Sequence, residues 1–210
     1  MKKTITTLSL IALSSTVSHA ALAWINEIDY DQPGADSGEF VEVFVSTSFA
    51  GNLSDLAVTL YNGSNSTSYG SDSLDTFTPG ATIAGVGTYY SLTYAANGLQ
   101  NGVSDGMALS NNGTLISFLS YEGTLTGSGG VADGVVSTDV GVAESNGDDP
   151  NESLFLTGTG SDVGDFTWSE GASLTLGAAN TGQTITAVPE PSSIALLGLG
   201  GLATLLRRKR

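Results

Sequence analysis

The chain contains no cysteine, and its few basic residues are confined to its two ends. Of its 210 residues, six are Lys or Arg and 21 are Asp or Glu, and no Lys, Arg, His or Cys lies between Ala20 and Leu206. Neither disulfides nor salt bridges can therefore stabilise this long central region, which must depend on apolar burial and hydrogen bonds. A region with only negative charges cannot neutralise phosphates, so we expect no nucleic-acid partner.

The same absences restrict catalysis. The only histidine is His19, and without His, Cys or Lys the usual Ser-His, Cys-His and Schiff-base routes are closed to the central region. Asp36-Ser37-Gly38 matches the loop that aspartic proteases need twice, but the sequence has no second copy. We therefore predict that the protein is not an enzyme. A hydrolase that uses two carboxylates remains the alternative, since it needs only positioned acids.

The N-terminus is typical of a secretory signal peptide. Lys2 and Lys3 precede an apolar stretch around Leu8–Leu13, and small residues allow cleavage after Ala20 or Ala23. We assign residues 1–23 to this signal, which also removes His19.

The C-terminus carries a second apolar segment. Ile194–Leu206 is uncharged and as a helix would be about 20 Å long, shorter than the roughly 30 Å hydrocarbon core of a bilayer. Four cations follow it, and by the positive-inside rule they would hold the end in the cytoplasm: Arg207, Arg208, Lys209 and Arg210. The pattern predicts an apolar helix that serves as a membrane anchor.

Pro189-Glu190-Pro191 precedes this helix. Together with the apolar run and the basic end, it resembles the PEP-CTERM sorting signal of Gram-negative bacteria. The resemblance implies that an exosortase, a membrane-embedded processing enzyme, cleaves near the Pro-Glu-Pro. We assign residues 189–210 to this segment, and expect an exported precursor anchored in the inner membrane that later reaches the cell surface or the extracellular space.

The body, residues 24–188, has the pattern of short strands separated by turns. Six runs have strand length and carry β-branched or aromatic residues, and in one of them Val41, Val43 and Val45 alternate with Phe40, Glu42 and Phe44. The runs are WINEIDY, EFVEVFV, LAVTLYN, TYYSLTY, TLISFLS and SLFLTG, with turn-rich segments such as YNGSNSTSYG and SNNGT between them. We predict an all-β antiparallel sandwich, with residues 126–153 as a long surface excursion.

INEIDYDQPGADSGEFVEVF at Ile25–Phe44 resembles the opening of the bacterial lamin-tail domain. The closing segments agree with it: ESLFLTGTG, Phe166-Thr167-Trp168 and TLGAANTGQ at Thr175–Gln183, where Leu176 replaces the family's usual Pro. The resemblance implies an immunoglobulin-like β-sandwich that serves as an extracellular adhesion or targeting module.

Acidic clusters are the candidate metal sites. Asp29, Asp31, Asp36 and Glu39 fall within eleven residues around Pro33-Gly34, and oxygen ligands on a loop suit Ca²⁺, although the EF-hand pattern is not met. A second, weaker cluster contains Asp148, Asp149, Asn151 and Glu152. The alternative interpretation, solvated acids in turns, stays open. We predict no cofactor other than Ca²⁺.

The overall expectation is a non-enzymatic exported protein of the cell surface or extracellular matrix. Its expected partners are the secretion machinery, the exosortase, the membrane before processing, and a polysaccharide or surface protein. Several aromatic residues could stack against sugars, or could instead belong to the core: Tyr61, Tyr69, Tyr89, Tyr90, Tyr94 and Trp168. A secreted hydrolase accessory is the alternative function.

Overall fold

Apolar residues that alternate along the strands generate two β-sheets that share one core. The computed structural model describes residues 22–34, 36–144, 149–172 and 174–188, which fall in one compact unit. The Pro-Glu-Pro motif, the C-terminal apolar segment and nearly all of the predicted signal peptide lie outside the described residues.

The larger sheet has seven strands in the order β11-β10-β1-β2-β6-β5, with β12 also paired to β10. Its strands are β1 (Ala23–Asp29), β2 (Phe40–Ser46), β5 (Thr78–Ile83), β6 (Gly87–Thr93), β10 (Glu152–Gly160), β11 (Phe166–Ala172) and β12 (Gln183–Ile185).

The smaller sheet has five strands in the order β4-β3-β7-β8-β9. They are β3 (Leu56–Tyr61), β4 (Ser68–Ser73), β7 (Gly106–Asn111), β8 (Thr114–Ser120) and β9 (Thr138–Asp139). Four single-turn 3₁₀ helices complete the described elements: Leu53–Asp55, Leu74–Thr76, Gly130–Ala132 and Val163–Asp165. None of the helices in the described ranges has the length and apolar character needed to cross a membrane.

The prediction of an all-β fold is confirmed, and all six predicted runs form strands. Antiparallel pairing holds for most neighbours, but β12 runs parallel to β10 and β9 runs parallel to β8. The turn prediction for SNNGT is also correct: Asn112 and Gly113 both have positive φ, as the tight hairpin between β7 and β8 requires. The turn prediction for YNGSNSTSYG is wrong for its last three residues, because β4 begins at Ser68.

Both sheets contribute side chains to the central core. Ile25, Val43 and Leu154 of the larger sheet belong to the same buried cluster as Val58 and Leu109 of the smaller sheet. Full burial of an aliphatic side chain contributes about 1.5–3 kcal/mol, so this cluster is the main source of stability in a domain without salt bridges.

The larger sheet is also covered on its outer face. Val41, Val43 and Val45 enter the central core, as the alternation predicted, but Phe44 on the opposite face is equally buried. It packs against Trp24, with ring centroids 4.7 Å apart, in a second cluster that also contains Ile185 of β12. The end of the body is thus part of its folded structure.

The idea that the tyrosines form sugar-stacking surfaces is wrong for Tyr61 and Tyr89, which are fully buried. The Tyr61 hydroxyl donates to the carbonyl of Gly129 and accepts from the amide of Ala132, so this ring anchors a loop. Tyr69 is 40% exposed, and Tyr90, Tyr94 and Trp168 are half-buried.

The surface-excursion prediction for residues 126–153 was too simple. Most of the described residues of this segment are exposed or half-exposed, but Ala132, Ser137 and Glu144 are buried. The segment also forms β9, and its last two residues belong to β10. It is therefore fixed to the body at several points, and one of them, Glu144, meets the predicted metal cluster.

Candidate functional site: two groups of buried carboxylates

The four acids predicted as a calcium site, here called the loop acids, lie around the connection between β1 and β2. Asp29 and Glu39 are completely buried at the two ends of this connection, and Asp36 is nearly so. Gln32 is one of two residues whose side-chain amides connect the group. Its Nε2 donates to Asp29 Oδ1 at 2.6 Å, and its backbone N donates to Asp36 Oδ1 at 3.1 Å.

Asn101 supplies the second amide. Its Nδ2 lies 3.1 Å from Asp36 Oδ2 and 3.4 Å from Asp31 Oδ1, so it can donate to both carboxylates. Glu39 Oε2 accepts from the backbone amides of Gly98 and Leu99 at 2.7 and 3.2 Å. Glu39 Oε1, by contrast, is buried without a hydrogen-bond partner. Buried polar atoms without a partner are rare and costly, so Glu39 Oε1 is the atom of this group that a ligand could satisfy.

Glu144 joins the loop acids although it lies more than a hundred residues further along the chain. Its carboxylate accepts from the backbone amides of Tyr30 and Asp31, the latter at 2.7 Å, and its own amide donates to the Tyr30 hydroxyl. The Tyr30 ring stacks on Tyr121 with centroids 3.8 Å apart. Sequence reasoning missed Glu144 because nothing local distinguishes it from the other acids of residues 126–153.

Burial and mutual repulsion disfavour the charged form of these acids. Burial, with smaller contributions from the charges of Glu27, Glu39 and Asp31, raises the pKa of Asp29 to about 7. Burial, and then the charge of Asp29, raises the pKa of Glu144 to about 9. Burial likewise raises the pKa of Glu39. No Lys, Arg or His lies in residues 22–188 to offset this charge.

The loop acids do not form a ready-made metal centre. Within the part of the chain that the structure describes, no three acidic side chains are grouped closely enough to hold a metal ion. In the second predicted cluster, Asp149 Oδ1 accepts from the backbone and side-chain amides of Asn151, whereas Glu152 is buried in β10. Asp148 lies outside the described residues.

A second group of buried carboxylates lies on the outer face of the larger sheet. The register between β1 and β2 shifts between Ile25 and Glu27, which is a β-bulge. A bulge re-aims side chains, and here two consecutive residues, Asn26 and Glu27, are both polar: Asn26 bonds to Gln183 of β12 and Glu27 bonds to Thr175, while Ile25 and Ile28 enter the core. Glu42, opposite Glu27 in the register, is also fully buried.

The closing loop, residues 174–182, covers this part of the sheet and donates hydrogen bonds to both glutamates. Thr175 Oγ1 donates to Glu27 Oε2 at 2.8 Å, and the Gly177 amide donates to Glu42 Oε2 at 2.5 Å. Ser153 of β10 donates to Glu27 Oε1 at 2.7 Å. We call this network the carboxylate clasp.

Asn180 and Gln183 complete the clasp. Asn180 Nδ2 donates to the carbonyls of Asn26 and Leu156, both at 3.0 Å, and its Oδ1 lies 2.9 Å from Thr175 Oγ1. Gln183 Nε2 donates to Asn26 Oδ1 at 2.7 Å. The side-chain amide of Asn180 is therefore fully used, and it joins β1, β10 and the closing loop.

The closing loop starts with a tight turn. The Ala178 amide donates to the Thr175 carbonyl at 2.8 Å, and Gly177 has φ +78°, the value that the third position of a type II turn requires. Proline is favoured at the second position of such a turn, where Leu176 stands. The departure from the lamin-tail pattern is therefore compatible with the same turn.

Both glutamates of the clasp are engaged within the protein. Burial raises the pKa of Glu42 to about 8 and also raises the pKa of Glu27, so burial disfavours the charged form of both carboxyls. The oxygens of both carboxyls already accept hydrogen bonds from the protein, and both residues are fully buried beneath the closing loop.

The described residues thus define an all-β protein of two sheets, with two groups of buried acids and a short last strand, β12, paired with β10. Directly after that strand, residues 187–210 match the family model of the PEP-CTERM protein-sorting motif. Searches of curated proteins and of solved structures found no significant match.

The match confirms the predicted sorting motif, since Pro189-Glu190-Pro191 and the four terminal cations fall within it. The motif implies an exosortase as the processing partner, and export to the surface or extracellular space through a membrane-anchored precursor.

Proposed function

We propose that the protein is a non-enzymatic surface-display module, with residues 24–188 as the displayed body and residues 1–23 and 189–210 as its export and sorting segments. The sorting motif at residues 187–210 is the observation that carries the proposal. The carboxylate clasp supports its non-enzymatic character, because the two glutamates bond to the protein itself.

We further propose that the body is an immunoglobulin-like, lamin-tail-like sandwich that adheres to a polysaccharide or a surface protein. The resemblance to lamin-tail domains rests on segments far apart in sequence, Ile25–Phe44 and Thr175–Gln183. Those segments meet in the clasp through Glu27, Glu42 and Asn180. A pattern that fits one continuous hydrogen-bonded network supports a common fold better than isolated matches do.

Replacing Pro189-Glu190-Pro191 with three alanines is expected to block maturation in the native host. The precursor should stay membrane-bound and keep its full length, as measured by fractionation and intact-mass analysis. The matched control replaces three exposed residues away from the motif and from β12 with alanines: Asp75, Val103 and Val136. Release of the alanine variant at the wild-type rate would contradict the proposed sorting route.

A second proposal concerns calcium at the loop acids, and the observation that favours it is the unpartnered, buried Glu39 Oε1. Asp29, Asp31 and Asp36 are the other predicted ligands, and Glu144 shares their surroundings. Burial, and to a smaller extent the charges of neighbouring acids, raises the pKa of Asp29 and Glu39, and a divalent cation would stabilise their charged forms. Since the acids are not already grouped, binding would require the connection between β1 and β2 to adjust.

Calcium at 10 mM is therefore expected to raise the melting temperature by about 3–10 °C, because extracellular calcium modules bind with Kd of roughly 0.1–1 mM. Glu39→Gln should abolish the increase, and Asp75→Asn, at an exposed acid elsewhere, should leave it intact. NaCl at the same ionic strength and Mg²⁺ at the same concentration test whether simple screening of the acidic charges causes the increase. No shift with Ca²⁺, or the same shift with NaCl, would refute the site.

A further inference from the structure

The last strand of the body directly adjoins the sorting motif. β12 ends at Ile185, and the amide of the next residue, Thr186, donates to the carbonyl of Gly160 at 2.7 Å. The family match begins at residue 187, so only Ala187 and Val188 separate Thr186 from Pro189. Two residues span about 7 Å even when fully extended.

β12 is held to the body by few interactions. It pairs in parallel with the end of β10, where Gly158, Thr159 and Gly160 face Gln183, Thr184 and Ile185. Ile185 is buried in the outer aromatic cluster and Gln183 bonds to Asn26, whereas Thr184 and Thr186 are exposed.

We propose that β12 detaches from β10 before the processing enzyme cleaves near Pro189-Glu190-Pro191, an inference that rests on the proposed sorting function. Enzymes that bind a peptide in extended form use its main-chain amides and carbonyls, in the manner of an added β-strand. The main chain just before the motif is already bonded to β10 at Gly158 and Gly160. The edge of β12 that faces β10 is therefore occupied. Because only Ala187 and Val188 separate Thr186 from Pro189, an enzyme can surround the main chain just before the motif only if β12 leaves β10.

Detachment does not require the body to unfold. β10 remains paired with β11 along Glu152–Gly158 and with β1 at Leu154 and Phe155. Short terminal elements open far more often than central strands, because few buried contacts oppose their opening. The closing loop, still held by Asn180, would then limit how far the opening spreads into the body.

A disulfide across the strand pair tests the proposal. Thr159 and Thr184 are Cα partners, both are exposed, and neighbouring strands lie within disulfide range. The chain has no other cysteine, so Thr159→Cys with Thr184→Cys can form only one intramolecular bond during export. The locked precursor is expected to mature at least about tenfold more slowly in the native host than either single variant.

Inserting a linker shows whether the disulfide blocks access to the motif or instead causes the precursor to misfold. Inserting eight Gly and Ser residues between Val188 and Pro189 of the locked precursor should restore maturation, because the enzyme then reaches free main chain while β12 stays in place. A misfolded precursor would not be restored.

Maturation of the locked precursor at the wild-type rate, with the disulfide confirmed by mass analysis, would overturn the inference. Failure of the linker to restore maturation would also overturn it. The triple-alanine variant separates the sorting hypothesis from the detachment hypothesis. If that variant matures normally, the sorting route is refuted. If it is blocked but the disulfide has no effect on maturation, only strand detachment is refuted.

Discussion

Lowering the pH from 8.5 to 5 is expected to raise the melting temperature of the mature protein by about 10 °C, the reverse of ordinary acid denaturation. The buried carboxyls titrate in this range: burial raises the pKa of Asp29 to about 7, of Glu42 to about 8 and of Glu144 to about 9. The folded state therefore binds protons that the unfolded state releases. The stabilisation is complete below pH 4 to 4.5, the ordinary range of these groups, and is lost as the pH rises to about 9.

The size of the effect follows from the number of buried groups. One pKa unit corresponds to about 1.4 kcal/mol, so a single unit at each of the three carboxyls gives about 4 kcal/mol, or roughly 8–16 °C. No histidine or lysine in residues 24–188 titrates in the opposite direction. Thermal unfolding followed by circular dichroism between pH 5 and 8.5, with a chelator present, measures this dependence.

Two comparisons separate burial from general charge repulsion. In 1 M NaCl, repulsion between exposed acids is screened within about 3 Å, whereas the cost of burying a carboxylate persists. Asp29→Asn keeps an acceptor for Gln32 and removes the charge, so it should stabilise the protein at pH 8.5 and change little at pH 5. Asp75→Asn, at an exposed position, is its control. A melting temperature that decreases as the pH is lowered from 8.5 to 5 would contradict the burial argument.

The elements that the sequence predicted are those with strong apolar alternation. EFVEVFV and LAVTLYN form β2 and β3, because their valines and leucines can be buried only if successive side chains face opposite sides of a sheet. β4 (SYGSDS) and β5 (TPGATI) were missed, because edge strands with small and polar side chains have no such pattern. Their pairing with β3 and β6 decides their conformation.

The candidate sites were predictable only where their residues are neighbours in sequence. The loop acids form one stretch, so Asp29, Asp36 and Glu39 could be grouped from spacing alone. Glu144 could not, because its position depends on the path of residues 121–144 across the body. Spacing also could not distinguish Glu27 and Glu42, which look like solvent-facing acids in alternating strands until the closing loop is seen to cover them.

Asn180→Ala is expected to lower the free energy of unfolding by about 3–5 kcal/mol, one of the largest effects of any single polar substitution in the body. The change removes the donors to the carbonyls of Asn26 and Leu156 and the acceptor beside Thr175. Each buried carbonyl left without a partner costs about 1–3 kcal/mol. Urea denaturation at pH 6 measures the loss.

Asn180→Asp tests the chemistry of the same position at nearly constant shape. It places an oxygen where the amide donated, facing two carbonyls and near the acids of the clasp, so at pH 8 it should destabilise the protein more than alanine does. At pH 5 a protonated carboxyl can again donate to one carbonyl, and part of the loss should be recovered.

Asn151→Ala is the matched control, because Asn151 is exposed and bonds locally to Asp149; it should cost less than about 0.5 kcal/mol. If Asn180→Ala were as mild, the closing loop would not be held by the clasp. β12 would then lose the support that confines its opening, and the end of the body would detach together with the whole closing loop.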